Sequence, residues 1–220
     1  MNRPTIVDAQ RSSQRGHRLV TCARARGCDV SVDLYIDTLE VERRRRVGLG
    51  SLLSLDLLNL LLRLPLGSRF RQQDFSAYQW GLLTRAGEAV DLERNAGRHG
   101  WVTRWAVPPV DVEMVTISAR SWRSGLDRAS RFAPYAARRV VLERMPIDDT
   151  LLRLEAAYRG VGIAVSDSAV GGEEDHFNEI VVGAQFAPQR FTGASWRLAE
   201  VLFAQTGLCV AADSLATNHR

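Results

Sequence analysis

The sequence predicts an α/β protein, because three consecutive segments near the middle of the chain have the pattern of a strand, a helix and a second strand. Residues 110–117 are dominated by Val, Met, Thr and Ile, which favour strands. In residues 122–133 apolar side chains recur about once per turn, which predicts a helix with one apolar face, limited by Pro134. Residues 139–142 form a second apolar run. Such a βαβ unit implies two parallel strands in a covered sheet.

Two elements are predicted ahead of this unit. Residues 13–26 have the apolar spacing of a helix, with arginines outward and Gly27 as the C-cap. Residues 28–37 alternate apolar and polar side chains, which predicts a half-buried strand. The polar side of that strand carries Asp29, Asp33 and Asp37. These aspartates could hold a metal ion, but the alternation alone explains them, so a solvated strand face is favoured.

Every basic residue of the chain is an arginine: there are 29, and the formal net charge is +4. Arginine presents a planar fork that suits phosphates. A GC-rich genome would also replace lysine by arginine, so both explanations stay open. The densest charge lies in the block Glu42–Arg46. Such a block can lie along DNA phosphates, but the solvated end of a strand or helix is the favoured interpretation.

The pattern changes to short helices between residues 50 and 106. The predicted elements are helices over residues 51–64, near residue 75 and over residues 84–95, then a strand over residues 100–105. Thr84 is the expected N-cap of the third helix. Three short helices followed by a strand resemble a winged helix-turn-helix. The phrase Gly-Trp-Val-Thr-Arg in the strand resembles the start of its wing.

A winged helix-turn-helix implies DNA contacts from its third helix and from its wing. The residues that this resemblance places against DNA are Arg69, Thr84, Arg85, Arg94, Arg98 and Arg104. Glu88 and Asp91 also face outward on the third helix, and their negative charge weakens direct base readout. A helical packing module that serves the sheet or a dimer partner therefore stays the alternative.

A second resemblance covers about residues 110–166. The residues that carry it are Ser-Trp-Arg-Ser-Gly-Leu-Asp-Arg-Ala at 121–129, Tyr135-Ala136, the strand 140–142 and the Gly-x-Gly strand at 160–165. They resemble the core of the restriction-endonuclease-like (PD-(D/E)xK) superfamily, which implies a mixed sheet and a nuclease reaction. Where that superfamily carries Glu and Lys, this chain has Thr116 and Ser118, and it contains no lysine at all.

The nuclease reaction needs carboxylates that hold a divalent cation and usually a lysine that activates water. Asp111 and Glu113, two apart on one face of the predicted strand, are the candidate catalytic and Mg²⁺-binding residues. Without the Glu-x-Lys residues the core is expected to bind DNA without cutting it. No cofactor is therefore expected, and Mg²⁺ enters only with the nuclease alternative.

The predicted function is DNA binding without cleavage, as a regulator or accessory factor of DNA processing. On the polar face of the crossover helix, Arg123, Arg128 and Arg131 are expected to contact phosphates. One alternative is a Mg²⁺-dependent DNA nuclease that uses Asp111 and Glu113. Another is a protein-interaction scaffold, in which the core forms a homodimer or binds a protein partner.

The remaining predicted elements are a helix from the cap Asp148–Thr150 to Tyr158, strands over residues 163–165 and 179–185, and a last helix capped by Ser195. The predicted division of the chain starts with residues 1–49, a helix and strand that can join the core sheet. Residues 50–106 are the winged-helix-like module, 107–210 the restriction-endonuclease-like core and 211–220 a loose tail.

The expected location is the cytoplasm, with no membrane contact. The chain starts without the apolar core of a signal peptide. Its most apolar run, residues 49–66, is too short and too polar to span a bilayer. Three cysteines without metal-ligand spacing, Cys22, Cys28 and Cys209, suit a reducing compartment.

Overall fold

The computed structural model describes residues 16–94, 100–166, 177–186 and 190–208. Over these ranges the chain forms nine strands and six α-helices, so the mixed α/β class is confirmed. The strands are β1 Arg18–Ala25, β2 Cys28–Ile36, β3 Arg69–Arg71, β4 Val90–Arg94, β5 Gly100–Arg104, β6 Val110–Ala119, β7 Ala137–Leu142, β8 Gly162–Ser166 and β9 Phe177–Val181. The helices are α1 Thr38–Val47, α2 Leu55–Arg63, α3 Ala77–Thr84, α4 Trp122–Ser130, α5 Thr150–Arg159 and α6 Gly193–Phe203. Single turns of 3-10 helix cover Gln72–Asp74 and Gly87–Ala89.

The chain divides into two compact units, each built from segments that are distant in sequence. Among the described residues, unit 1 comprises 16–17, 36–94, 100–111 and 191–208, and unit 2 comprises 18–35, 112–166, 177–186 and 190. The first two strands therefore join the sheet of the central βαβ unit, as the sequence allowed. In contrast, α6 belongs to unit 1, although the sequence placed it with the core at residues 107–210.

Unit 2 contains a six-stranded mixed sheet in the order β1-β2-β6-β7-β8-β9. β6 pairs with β7 in parallel, and β7 pairs with β8 in parallel. At the two edges, β1–β2 and β8–β9 are antiparallel. Because α4 connects β6 to β7, the predicted βαβ unit is confirmed, and α5 makes a second unit between β7 and β8.

Close packing holds α4 against the sheet of unit 2. Leu126 and Ala129 on its inner face are fully buried, as is Val140 on β7. A Cβ at Gly125 would lie 2.6 Å from Val140 Cγ1, so glycine allows the helix to approach the strand this closely. The amphipathic pattern of this helix in the sequence therefore indicated its buried face correctly.

Unit 1 packs four helices with a three-stranded antiparallel sheet in the order β3-β5-β4. Its apolar core includes leucines from α2 and α3, together with Val102 of β5 and Trp196 of α6. The predicted leucine-rich helix is observed as α2, and the Ser54 hydroxyl caps it by accepting from the Leu57 amide at 3.4 Å. Within the described ranges, no helix combines the length and apolar character that crossing a bilayer requires.

The helix predicted for residues 13–26 is wrong over the described part, because Arg18–Ala25 is β1. This strand pairs along its whole length with β2. The turn between them is Arg26-Gly27, and both residues have left-handed backbone angles, with φ of 49° and 74°. That conformation is typical of a two-residue hairpin turn. Gly27 therefore ends a strand and not a helix.

The helix predicted for residues 84–95 is also wrong. Thr84 is the last residue of α3, whose N-cap is Ser76, and Val90–Arg94 is a strand paired with β5. Gly87 has a left-handed φ of 55°, which interrupts any continuous helix after α3. The element that would be the recognition helix of a winged helix-turn-helix is thus a single 3-10 turn.

Two smaller predictions need correction near the end of the chain. The last helix starts at Gly193, and its N-cap is Thr192, whose hydroxyl accepts from the Ser195 amide at 3.1 Å. The predicted strand 179–185 is observed as β9, which ends at Val181.

Candidate functional site

A cleft of about 360 Å³ opens at the carboxyl ends of the three parallel strands of unit 2. The residues that line it are Ser118, Ala119, Arg120, Val141, Leu142, Glu143 and Ser166, from the ends of β6, β7 and β8. In open α/β sheets, ligands bind outside the carboxyl ends of parallel strands. The cleft therefore occupies the place where this topology most often carries a site.

Exposed arginines follow the same ends of β6 and β7 in the chain, and one of them, Arg120, lines the cleft. The Arg120 side chain is 92% exposed, and its Nε lies 3.5 Å from a carboxylate oxygen of Glu143, which is itself 67% exposed. Such a solvated pair contributes little to stability, so Arg120 can exchange this partner for a ligand. Arg123, in the first turn of α4, is exposed and lies 4.4 Å from the centre of the Trp122 ring. Arg144 is exposed and follows Glu143 at the end of β7.

The three arginines expected on the polar face of α4 differ in their surroundings. Arg123 is open to solvent, as expected. Arg128 is half-buried and donates through Nη2 to the Ser118 carbonyl oxygen at 2.9 Å, which ties α4 to the end of β6. Arg131 is exposed, but its Nη1 donates to the Arg26 carbonyl oxygen at 3.3 Å and so holds the β1–β2 turn. Arg123, in the first turn after the end of β6, is thus the member of this set that has no such structural bond among the described contacts.

The positions where the superfamily carries Glu and Lys lie on β6. Thr116 is buried, with 7% exposure, and Ser118 lines the cleft. Neither side chain carries charge, so β6 brings no carboxylate and no amine to its carboxyl end. Glu143 is the carboxylate among the residues lining the cleft, and it faces Arg120.

Asp111 and Glu113, the candidate Mg²⁺ ligands, lie in the first half of β6 and are exposed. Glu113 accepts from the Tyr35 hydroxyl at 3.4 Å and lies 3.7 Å from Nε of Arg18. Ser118 follows Glu113 by five positions along the strand, a distance of roughly 17 Å. Across the described ranges there is no group of three His, Cys, Asp or Glu side chains that could hold a metal ion.

Asp33, on strand β2, forms an ion pair with Arg18 of the neighbouring strand β1. Its carboxylate accepts from Nη2 of Arg18 at 2.5 Å, and this hydrogen bond raises the pKa of Arg18. Asp29 is solvated, with 87% exposure, and lies 3.9 Å from Arg24, as the alternating pattern favoured. The Asp33 side chain is only 14% exposed. Asp37 lies beyond the end of β2, where its carboxylate accepts from the Glu40 amide as the N-cap of α1.

The arginines and threonine predicted for a winged-helix interface have mixed placements. Arg69 is exposed, pairs with Glu93 and lies 4.5 Å from the centre of the Trp101 ring. The Thr84 hydroxyl donates to the Gly81 carbonyl oxygen at 3.1 Å. Arg94 is a residue of β4, and Arg98 lies outside the described residues. Arg85 is exposed at the end of α3.

Arg104, predicted to reach the DNA backbone, lies inside unit 1. It is 8% exposed, and its guanidinium donates to the carbonyl oxygens of Leu61, Leu64 and Ala106 at 2.9 to 3.0 Å. It also lies 5.0 Å from the centre of the Trp196 ring. Because these contacts bury the side chain, Arg104 is a core cation and not part of a surface for DNA.

The dense charge block at Glu42–Arg46 contains a buried residue that the sequence did not reveal. Arg44 is 1% exposed and forms two hydrogen bonds of 2.7 and 2.8 Å with the Glu200 carboxylate. A third, of 2.7 Å, goes to Glu40. Burial alone would lower the pKa of Arg44, but the bonds and charges of Glu200 and Glu40 outweigh it, so the pKa is raised. The solvated interpretation therefore fails for Arg44, while Arg45 and Arg46 are exposed as expected.

Comparison of the chain with protein-family models, with curated proteins and with solved structures found no match. The functional argument therefore depends on the cleft and on the side chains around it.

Proposed function

We propose that the protein binds DNA through the phosphate backbone without cutting it, as a regulator or accessory factor of DNA processing. The observation that carries this proposal is the group of three exposed arginines, Arg120, Arg123 and Arg144, around the carboxyl ends of the parallel strands. We place the DNA contact of unit 2 at this cleft.

The chemistry of the arginines favours phosphate as the ligand. A guanidinium stays protonated at all physiological pH values and offers two parallel donors to a phosphate group. One carboxylate, Glu143, offsets part of the positive charge, which leaves the three arginines in excess. The N-terminus of α4 lies at the same edge and adds the positive end of its dipole.

The arrangement suits an extended polyanion better than one small anion. Arg120 follows β6, Arg123 belongs to the first turn of α4, and Arg144 follows β7. All three are open to solvent, and Arg120 lines the open cleft. Side chains spread in this way contact successive phosphates and do not read bases, so the proposed binding has little sequence preference.

The same side chains argue against cleavage. A divalent cation at a nuclease site needs several oxygen ligands, and the described lining of the cleft supplies one carboxylate. Arginine cannot replace the missing lysine as a base, because it does not lose its proton. Asp111 and Glu113 lie toward the other end of β6, and Glu113 is occupied by Arg18 and Tyr35.

The proposal is tested by titrating a fluorescent DNA duplex with the full chain and following the anisotropy. The triple substitution Arg120→Ala, Arg123→Ala and Arg144→Ala should weaken binding by about tenfold to a hundredfold, because it removes phosphate contacts. A matched control removes three exposed arginines elsewhere, Arg63→Ala, Arg153→Ala and Arg197→Ala. The control lowers the net charge equally and should keep most of the affinity.

A parallel incubation of plasmid with Mg²⁺ separates binding from cutting. The wild-type chain should retard the plasmid in a gel and leave it intact. Equal loss of affinity in both triple variants would place the contact outside the cleft. Cleavage that Asp111→Ala abolishes would replace the proposal with a nuclease.

A further inference from the structure

The first turn of α4 carries an arginine that lies against a tryptophan, called here the Arg123–Trp122 stack. Cζ of Arg123 lies 4.4 Å from the centre of the Trp122 ring, so the guanidinium rests on the indole. Trp122 is half-buried, whereas Arg123 is exposed. Among the residues that the structure describes, Arg123 forms no hydrogen bond and no ion pair. The outer planar face of its guanidinium is therefore open to solvent.

The stack lies in the part of α4 that packs beside the cleft. A Cβ at Gly125 would lie 3.1 Å from Cβ of Ala119, at the end of β6. From the same helix, Arg128 donates to the Ser118 carbonyl oxygen at 2.9 Å. Ser118 and Ala119 both line the cleft. Arg123 precedes Gly125 by two residues, which is about 3 Å along the helix axis, so the stack is close to this contact.

The outer face of the stack suits a flat, unpaired base. Nucleobases stack on aromatic rings and on guanidinium planes, and every base can do so because each has a π face. In a duplex the bases stack on one another and present only their edges in the grooves. A duplex therefore has no base face to offer the stack, whereas a single strand can turn a base onto it.

The charge of the site alone would select the opposite partner. Double-stranded DNA carries a higher density of phosphates than a single strand, so exposed arginines by themselves favour the duplex. Arg120 and Arg144 follow the ends of the neighbouring strands β6 and β7 and can contact phosphates of either form. A preference for single-stranded DNA would therefore report base stacking and not the charge of the site.

We propose that unit 2 binds single-stranded DNA at this edge of the sheet, with one base stacked on Arg123 and with phosphates of the same strand on Arg120 and Arg144. This assignment rests on the proposed function, because it names the form of DNA that the same three arginines bind. Stacking adds affinity without selecting a sequence, which agrees with a surface that otherwise contacts phosphates.

Fluorescence anisotropy with the full chain compares three probes of equal length. They are a single-stranded oligonucleotide, its duplex, and a strand in which abasic sugars replace the nucleosides. The single strand should bind more tightly than the duplex. It should also bind about tenfold more tightly than the abasic strand, which keeps the phosphates and has no base to stack.

The variant Arg123→Lys separates the planar group from its charge, because lysine keeps the positive charge and has no planar face. It should lower the affinity for the single strand by about tenfold and change the affinity for the abasic strand by less than about twofold. The matched control is Arg120→Lys, at an exposed arginine that lies against no aromatic ring within the described part of the chain. The control should change the affinities for all three probes by one common factor.

The possible results distinguish the stacked base from the phosphate contacts. Duplex bound as tightly as the single strand, an abasic strand bound as tightly as the normal one, or wild-type affinity of Arg123→Lys for the single strand would each overturn the stacking. In those cases the triple variant still tests phosphate binding on its own. A wild-type chain that binds none of the probes would overturn the proposed function and the stacking together.

Discussion

Single residues in this protein show how little the charge of a side chain says about its position. Arg44 and Arg104 are both buried, although the sequence predicted a solvated charge block around Arg44 and a DNA contact for Arg104. Besides a local partner, each has partners that are distant in sequence: Glu200 lies 156 residues from Arg44, and Leu61 lies 43 residues from Arg104. No local pattern encodes such partners, so the sequence could not reveal them. The exposed position of Arg123 followed from helical spacing alone, which is a local property.

The buried ion pair leads to a prediction for stability. Arg44→Met should lower the free energy of unfolding by about 3–5 kcal/mol, because it leaves the Glu200 carboxylate buried without a cationic partner and removes one of the two arginines that bind Glu40. Arg45→Met, at the exposed neighbour, should change it by less than about 0.5 kcal/mol. Urea unfolding of the two variants measures both values. Similar unfolding midpoints for the two variants would show that Arg44 is not the buried centre of a charge network.

At the scale of elements, patterns of local periodicity predicted the central βαβ unit and failed at hairpins. The alternation of β2 and the apolar face of α4 are repeated along each element, so the sequence displays them. β1 contains Arg18 and Arg24, which the helix prediction placed on an outward face. Its pairing with β2 depends on the left-handed turn at Arg26-Gly27. Likewise β4 is a strand because β5 pairs with it, a choice that local propensity did not indicate.

Two glycines within helices give a matched test of the packing of these elements. Gly125→Ala should destabilise the protein by about 1–3 kcal/mol, because its Cβ would meet Val140 and overpack the contact of α4 with β7. Gly81→Ala in α3 should stabilise it by about 0.5–1 kcal/mol, because nothing lies within 4 Å of the added Cβ and alanine favours helices. Thermal or urea unfolding reports the sign of each change. The same sign for both would contradict the close approach at Gly125.

At the scale of the whole molecule, the chain passes between the two units and returns. Residues 18–35 leave unit 1 to complete the sheet of unit 2, and the segment that holds α6 returns to unit 1. The sequence analysis divided the chain into consecutive segments. It therefore assigned α6 to a different segment from the helices with which it packs. Of the three arginines of the candidate site, the sequence predicted one, Arg123. Arg120 and Arg144 were missed, because their importance depends on where β6 and β7 end beside each other.

The most direct measurement of the proposed function is the salt dependence of DNA affinity for the wild type and for the triple variant at Arg120, Arg123 and Arg144. Each phosphate contact on duplex DNA adds about 0.9 to the slope of log affinity against log salt concentration. The wild type should bind with a steep negative slope, and the triple variant should reduce its magnitude by about 2 to 3. Equal slopes, or wild-type binding that salt does not affect, would contradict a phosphate-binding cleft at the carboxyl ends of the parallel strands.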